Sequence, residues 1–321
     1  MRFMSINIIV HAILSTYFGR CRCLINQTPT PPSATGQRYA SSCRLGARPP
    51  TNTDDLSGET SQQPEEMPLD CLNSYSILII MTQTIKIALY QGFHGQGMPD
   101  SIAEQIKQAK PEILCLPEYF MVGPDELSIL PSADRHNKHL KYLKRLSIRL
   151  NCAIAGGTLL RWTNNEYKNT CYLISNGSVL GFYEKIHLYK HEGKGLVSPG
   201  YEYRVIRLNN IRVGLLVCAD VLYAGTFSNL KGLRPDIVVI PVTAPYRKHE
   251  TVEKKFARDQ KLFVDGAKIV GCPVIKISSV GKIAGHRVQG RSLVAAPNGI
   301  IFRVPPGNED KPVFKIIDLA V

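Results

Sequence analysis

An α/β layered sandwich is the fold class that the sequence predicts. Short apolar strand-like runs alternate with amphipathic helical segments from Ile85 onward. Two Asn-Gly pairs, Asn176-Gly177 and Asn298-Gly299, interrupt that alternation as hairpin signals. Parallel strand–helix–strand units mixed with hairpins suit layered sheets better than one all-parallel sheet.

Taken in order, Lys86–Gln91 (KIALYQ) reads as the first strand. Asp100 and Ser101 can cap a helix from Ile102 to Lys110, where Ile102, Ile106 and Ala109 recur at helical spacing and Pro111 stops it. Glu112–Leu116 (EILCL) is a buried-type strand running into Pro117-Glu118. Lys138–Leu150 reads as a basic amphipathic helix. Strands follow at Cys152–Gly156, Asn169–Ser175 and Ser178–Glu184, the last two joined by Asn176-Gly177. Val213–Cys218 is a further apolar strand, Phe227–Gly232 a short helix and Asp236–Pro241 the next strand. Thr251–Gly271 is helical by period. Pro273–Ser278 and Arg291–Ala296 are strands separated by a loop over Gly281–Gly290, and Asn298-Gly299 turns the chain toward Ile300–Val304.

Residues 1–80 have a different texture. Two stretches rich in Pro, Ser, Thr and Gln carry little that could build a core. The first fifty residues hold six arginines, no lysine and no carboxylate, the composition of an organellar transit peptide. The other reading is an upstream extension outside the working protein, with Met81 as a natural start. The expected organisation is therefore an N-terminal extension over 1–80 and a globular domain over 81–321, placed in the cytoplasm, or in an organelle if the extension is a transit peptide.

The formal charge is +13. The basic residues are dispersed, and the densest cluster, Arg247–Lys255, contains Glu250 and Glu253. Without aromatic-flanked basic runs, this predicts a basic enzyme surface and no nucleic-acid groove. No run of eighteen uninterrupted apolar residues predicts a membrane span. Nine cysteines, an odd count in a long chain, do not suit a disulfide framework. Cys115, Cys152, Cys171, Cys218 and Cys272 sit in or beside apolar runs, as free thiols in a reducing compartment would.

Three strand-like segments each lead into one reactive residue: Glu118 after ILCLP, Lys185 after GFYE and Cys218 after VGLLV. Singly, each suits an ordinary role, as a cap, a solvated charge or a buried thiol. Together they suit nucleophilic attack on an amide or nitrile carbon. A carboxylate can take the thiol proton. An ammonium and a backbone N–H can stabilise the charge built on the attacked group. The protonated carboxyl can then return its proton to departing ammonia.

The segments LPEYF (Leu116–Phe120), YEKIHL (Tyr183–Leu188) and LLVCADVLY (Leu215–Tyr223) resemble the signature regions of the nitrilase superfamily of carbon–nitrogen hydrolases. Their separations agree with that family's arrangement, 185 − 118 = 67 and 218 − 185 = 33. Ser198-Pro199-Gly200 and GRSLVAAPNG (Gly290–Gly299) add flanking matches, so that the resemblance covers about Ile85 to Val321. It implies a four-layer αββα sandwich and a covalent thioester or thioimidate on the cysteine. It further implies Glu118 as general base, Lys185 as transition-state stabiliser, Cys218 as nucleophile and the Ala219 N–H as second oxyanion donor. Glu192, in KHEGKGLVSPG, is the candidate for the second glutamate that many members carry.

Nitrilases proper usually follow the cysteine with Trp-Glu, whereas this chain has Ala219-Asp220. That favours a linear amide or N-carbamoyl substrate over a nitrile, and gives Asp220 a structural hydrogen-bonding role. The resemblance implies a small-molecule substrate, no cofactor, no metal and a homodimer or larger assembly. The rival reading is a non-catalytic binding or scaffold protein on the same fold. His187, His191 and Glu192 would form a metal-ligand set only on a helix, against which Gly193 and Gly195 argue. His136 and His139 lie in a polar stretch and are expected to be solvated. Gly92, Gly95 and Gly97 match neither phosphate-loop spacing and predict a turn.

Overall fold

A computed structural model of the protein describes residues 83–189 and 192–321. The expected N-terminal extension, with Cys21, Cys23, Cys43, Cys71 and Met81, lies outside the described residues, as does His191.

Among the described residues, fourteen strands form two six-stranded sheets and one small hairpin. The first sheet runs in the order β14-β1-β2-β3-β4-β5. Its strands are β1 (Thr84–Gln91), β2 (Ile113–Leu116), β3 (Ala153–Thr163), β4 (Glu166–Ser175), β5 (Ser178–Glu184) and β14 (Val313–Ala320). The second runs β13-β12-β9-β8-β7-β6. Its strands are β6 (Arg204–Leu208), β7 (Ile211–Leu215), β8 (Ile237–Val242), β9 (Val274–Ser278), β12 (Leu293–Ala296) and β13 (Gly299–Arg303). Each sheet has a parallel centre, β1-β2-β3 and β7-β8-β9, flanked by antiparallel edges.

The alternation of side chains along each strand decides the layering. Ile87, Leu89, Ile113 and Cys115 from the first sheet pack with Val213, Leu215, Val239 and Ile275 from the second in one core. The opposite faces of the first sheet, through Ala88, Leu114, Leu116 and Ile154, meet helices α1 (Asp100–Ala109) and α2 (His136–Leu150). The second sheet is covered by α3 (Thr226–Gly232), α5 (Asp265–Val270) and the turn Gln260–Val264 that joins α4 (Val252–Asp259) to α5. The result is the expected four-layer αββα sandwich. Among the described residues no helix is long and apolar enough to cross a membrane.

Several elements differ from the expected ones. β3 continues to Thr163 because its second half pairs with β4 beyond a bulge at Gly156–Leu159. Gly156 has φ +105°, and a Cβ there would come within 2.2 Å of the Leu116 carbonyl oxygen. Only glycine lets the end of β2 sit against β3 at that point. The single helix expected over Thr251–Gly271 is two helices joined by a π turn at Gln260–Val264. The loop expected at Gly281–Gly290 contains a short hairpin, β10 (Gly281–Ile283) and β11 (His286–Val288). The histidines expected to be solvated are partly enclosed. His139 is 7% exposed on α2, and the His136 ring nitrogens lie 3.2 Å from the Leu160 carbonyl and 3.2 Å from the Tyr172 hydroxyl.

Candidate active site

Glu118 follows β2 by two residues, Lys185 follows β5 directly and Cys218 follows β7 by three. Val213–Cys218 was expected to be strand throughout, but the strand ends at Leu215 and Cys218 opens a 3-10 turn, Cys218–Leu222. The Cys218 backbone has φ +46°, and Tyr119, beside Glu118, has φ +54°. Left-handed conformations in non-glycine residues carry strain, held here by the surrounding bonds.

Lys185 and Glu118 are each 2% exposed and in direct contact. The Lys185 ammonium donates to Glu118 Oε1 at 2.9 Å and to Glu192 Oε2 at 2.7 Å. Asn169 Nδ2 bridges the same carboxylates, donating to Glu118 Oε1 at 3.0 Å and Glu192 Oε1 at 2.7 Å. The Tyr119 hydroxyl donates to Glu192 Oε1 at 2.6 Å, and the Thr243 N–H to Glu118 Oε2 at 2.9 Å. Cys218 Sγ lies 3.7 Å from the carbonyl oxygen of Thr243, the residue after β8. Glu118, Lys185, Cys218 and Glu192 therefore share one site, with Ala219 in its wall. Asn169, Tyr119 and Thr243 were not foreseen. A strand asparagine and a backbone N–H carry no signal in sequence, whereas Tyr119 directly follows Glu118.

Burial sets the electrostatics, and pairing modifies it. Desolvation pushes the Glu118 carboxyl up, opposed by the adjacent Lys185 charge. Desolvation also raises Glu192, but Lys185 and the donors from Tyr119 and Asn169 outweigh it and hold that carboxyl below its usual range. For Lys185 burial works against the charge, and Glu118 and Glu192 overcome it, keeping the ammonium well above its ordinary value. The Cys218 thiol is raised by burial and then by Glu118. It rests as a thiol beside a carboxyl group.

A second set of bonds ties the lysine segment to the cysteine turn. Asp220, fully buried, accepts from the Val217 N–H at 2.8 Å, the His187 N–H at 2.8 Å and the Tyr183 hydroxyl at 2.9 Å. The hydrogen-bonding position expected for Asp220 is the one observed. His187 stacks on Tyr223 with ring centroids 4.0 Å apart. Tyr183→Phe removes a hydrogen bond to a buried carboxylate and is expected to lower stability by about 1.5–3 kcal/mol. A shift of the urea midpoint with an unchanged slope would report that loss.

The site opens into a cavity of about 600 Å³. Apart from the four residues named above, its lining includes Leu222, Val242, Leu262, Phe263 and Ile283, together with charged side chains from α4 and its neighbours. That volume suits a small-molecule ligand.

The chain belongs to the carbon-nitrogen hydrolase family, whose sequence model matches residues 96–320. Among individual proteins, it is 24% identical to a glutamine-dependent NAD(+) synthetase of Acinetobacter baylyi over 239 residues, 71% of this chain and 43% of that protein. It is 23% identical to a nitrilase of Pyrococcus abyssi over 226 residues, 68% of this chain and 80% of the relative. The chain thus spans less than half the length of the NAD(+) synthetase. Among solved structures, an amidase from Nesterenkonia sp. AN1 superposes with a TM-score of 0.63 at 20% identity, over 73% of this chain and 92% of that one. A carbon-nitrogen hydrolase from Helicobacter pylori G27 gives 0.62 at 17% identity, over 74% and 90%. At those identities the likeness is one of fold, and it is the nitrilase-type α/β fold expected.

Proposed function

We propose that the protein hydrolyses a linear amide or N-carbamoyl C–N bond through a covalent acyl intermediate on Cys218. The observation that carries this reading is the buried Glu118–Lys185 pair at 2.9 Å, opening with the half-buried Cys218 onto one cavity. A binding scaffold has no use for two buried charges beside a thiol, because each costs desolvation.

Glu118 takes the Sγ proton as sulfur attacks the carbonyl carbon, so no resting thiolate is required. Burial, which raises the Glu118 carboxyl against the pull of Lys185, favours the protonated form it takes up in this step. Negative charge on the carbonyl oxygen is met by the Lys185 ammonium and the Ala219 N–H. The intermediate collapses, the C–N bond breaks, and ammonia leaves with the proton from Glu118. Water then attacks the thioester, gives a proton back through Glu118, and releases the carboxylic acid and the free thiol. Glu192 holds Lys185 from the opposite side and, with Asn169, fixes Glu118. An N-carbamoyl group would be attacked in the same way.

Two relatives support an amide substrate. The NAD(+) synthetase is described as glutamine-dependent, and glutamine carries a primary amide. A mutant of the Nesterenkonia amidase shows covalent addition of the acetamide moiety of fluoroacetamide at the active site cysteine. Ala219-Asp220 after the cysteine keeps the preference with amides over nitriles.

An amide panel assayed for ammonia, with parallel iodoacetamide labelling, tests the reading. Ammonia and carboxylic acid should form in equal amounts, and activity should fall in step with alkylation of Cys218. Cys115, Cys152, Cys171 and Cys272 should lag, since all four are buried, whereas Cys218 is half-buried and lines the cavity with Glu118, which can take its proton. Full activity after complete alkylation of Cys218 would reject the mechanism.

A further inference from the structure

The cavity wall formed by α4, the end of β9 and the segment after β11 carries an excess of positive charge. Asp259 of α4 is shared by three cations: Lys276 Nζ at 3.3 Å, Arg291 Nη2 at 2.8 Å and Arg303 Nε at 3.6 Å. Glu250 is likewise shared by Arg258, Arg291 and Arg247. Glu309 takes Lys255 and Arg291. Six cations meet three carboxylates. The segment Arg247–Lys255, the densest basic cluster and expected to belong to a basic enzyme surface, is in part turned inward to build this network.

The excess faces the cavity. Arg247, Arg258, Lys276 and Arg291 all line it, and of the three carboxylates only Asp259 does. Lys276 is 4% exposed, yet its three N–H donors have one hydrogen-bond partner among the described residues, Asp259. The least exposed members balance, Lys276, Arg291 and Lys255 against Asp259, Glu250 and Glu309, and the surplus lies with Arg247, Arg258 and Arg303, of which the first two line the cavity. A positive surplus on the cavity wall and N–H donors of Lys276 left without a partner among the described residues suit an anionic ligand.

Position fits the reaction. β9 lies beside β8, and Lys276 pairs with Ile240, three residues before Thr243, whose carbonyl oxygen is 3.7 Å from Cys218 Sγ. One strand spacing and three residues place the Lys276 backbone on the order of 10 Å from Thr243. A short acyl chain can span that gap.

We propose that Lys276, with Arg258 and Arg291, binds a carboxylate at the far end of the substrate, making the preferred substrate an anionic amide. This rests on the amide-hydrolase reading above. Burial depresses Lys276 to about 8, opposed by Asp259 and helped by the Arg291 and Arg258 charges. Charge-assisted hydrogen bonds fix the anion and its reach to the nucleophile.

The test compares matched substrates with and without the remote charge: glutaramate against valeramide, and N-carbamoyl-β-alanine against propylurea. The anionic member of the productive pair should have a kcat/KM about tenfold or more higher in the wild-type protein, with the difference in KM. Lys276→Met should narrow that ratio and Lys276→Arg should restore it. The wild-type comparison needs no variant to fold. Protection of Cys218 from iodoacetamide by glutarate, against valeramide at the same concentration, provides a readout independent of turnover. Equal kcat/KM within each pair would overturn the anion subsite and leave the hydrolase reading intact. Absence of turnover on every amide together with protection by glutarate would reject the hydrolase reading and keep the subsite. Absence of protection by glutarate would overturn the subsite whatever the turnover.

Discussion

Replacing Cys218 with alanine is expected to lower ammonia release by about four orders of magnitude or more, since Cys218 is the only thiol among the described residues that line the cavity. Stability should scarcely change. The Sγ atom makes one weak contact, 3.7 Å from the Thr243 carbonyl, and alanine tolerates φ +46° no worse than cysteine does. The matching control is Cys171→Ala. Cys171 is fully buried in the core between the sheets. Its loss should cost about 1 kcal/mol of stability through the lost sulfur contacts and leave turnover intact. Steady-state ammonia release and urea unfolding on both variants separate the roles. Activity in Cys218→Ala within tenfold of wild type would mean that sulfur does not carry the reaction.

That contrast exists because five thiols with the same sequence surroundings occupy different places. Each follows or sits within an apolar run, so hydropathy alone ranks them equally. Four are buried and one is half-buried at the cavity. The difference arises from the turn after β7, where Asp220 accepts from the Val217 N–H and lifts the chain out of the strand. Asp220 is the third residue of LVCAD to matter, and its bond explains why a strand read as far as Cys218 stops at Leu215.

Much of the fold was legible for a local reason. β2, β5 and β8 are short apolar runs bounded by Pro or by Asn-Gly, and the turn at Asn176-Gly177 has the positive φ values, +46° and +73°, that its residues favour. What escaped is long-range. β14 was not foreseen, because only pairing with β1 along its whole length makes a strand of an ordinary mixed segment. β6 is held likewise by β7. The π turn inside Thr251–Gly271 leaves helical periodicity almost intact and so is silent in sequence. In the site, Glu118, Lys185 and Cys218 were legible because each stands beside a recognisable strand end. The cations on the cavity wall were not, because Arg258, Lys276 and Arg291 come from three segments whose charges look solvated until the fold buries them.

Lys185→Met should have the second large effect, and its pH dependence distinguishes neutralisation from packing. Methionine keeps the length and apolar stem but leaves Glu118 and Glu192 facing each other in a buried site. Turnover should fall by about two to three orders of magnitude, the cost of one oxyanion donor. Stability near neutral pH should fall by about 3–5 kcal/mol, as expected when one partner of a buried pair is removed. The sign with pH follows from which influence is lost. Lys185 is the leading influence that lowers both carboxyls, while burial raises them. Without it both folded carboxyls move up, Glu118 further above its ordinary value and Glu192 away from its lowered one. The folded variant then binds more protons than the folded wild type, so its stability declines relative to wild type as pH rises through the carboxyl range. In the wild-type protein the lowered Glu192 carboxyl acts in the opposite sense, contributing stability that is lost on acidification. The gap between wild type and variant should therefore widen from acid to neutral pH. Urea unfolding at a series of pH values measures it. A gap that stays constant would show that Lys185 fills space there without balancing the two carboxylates.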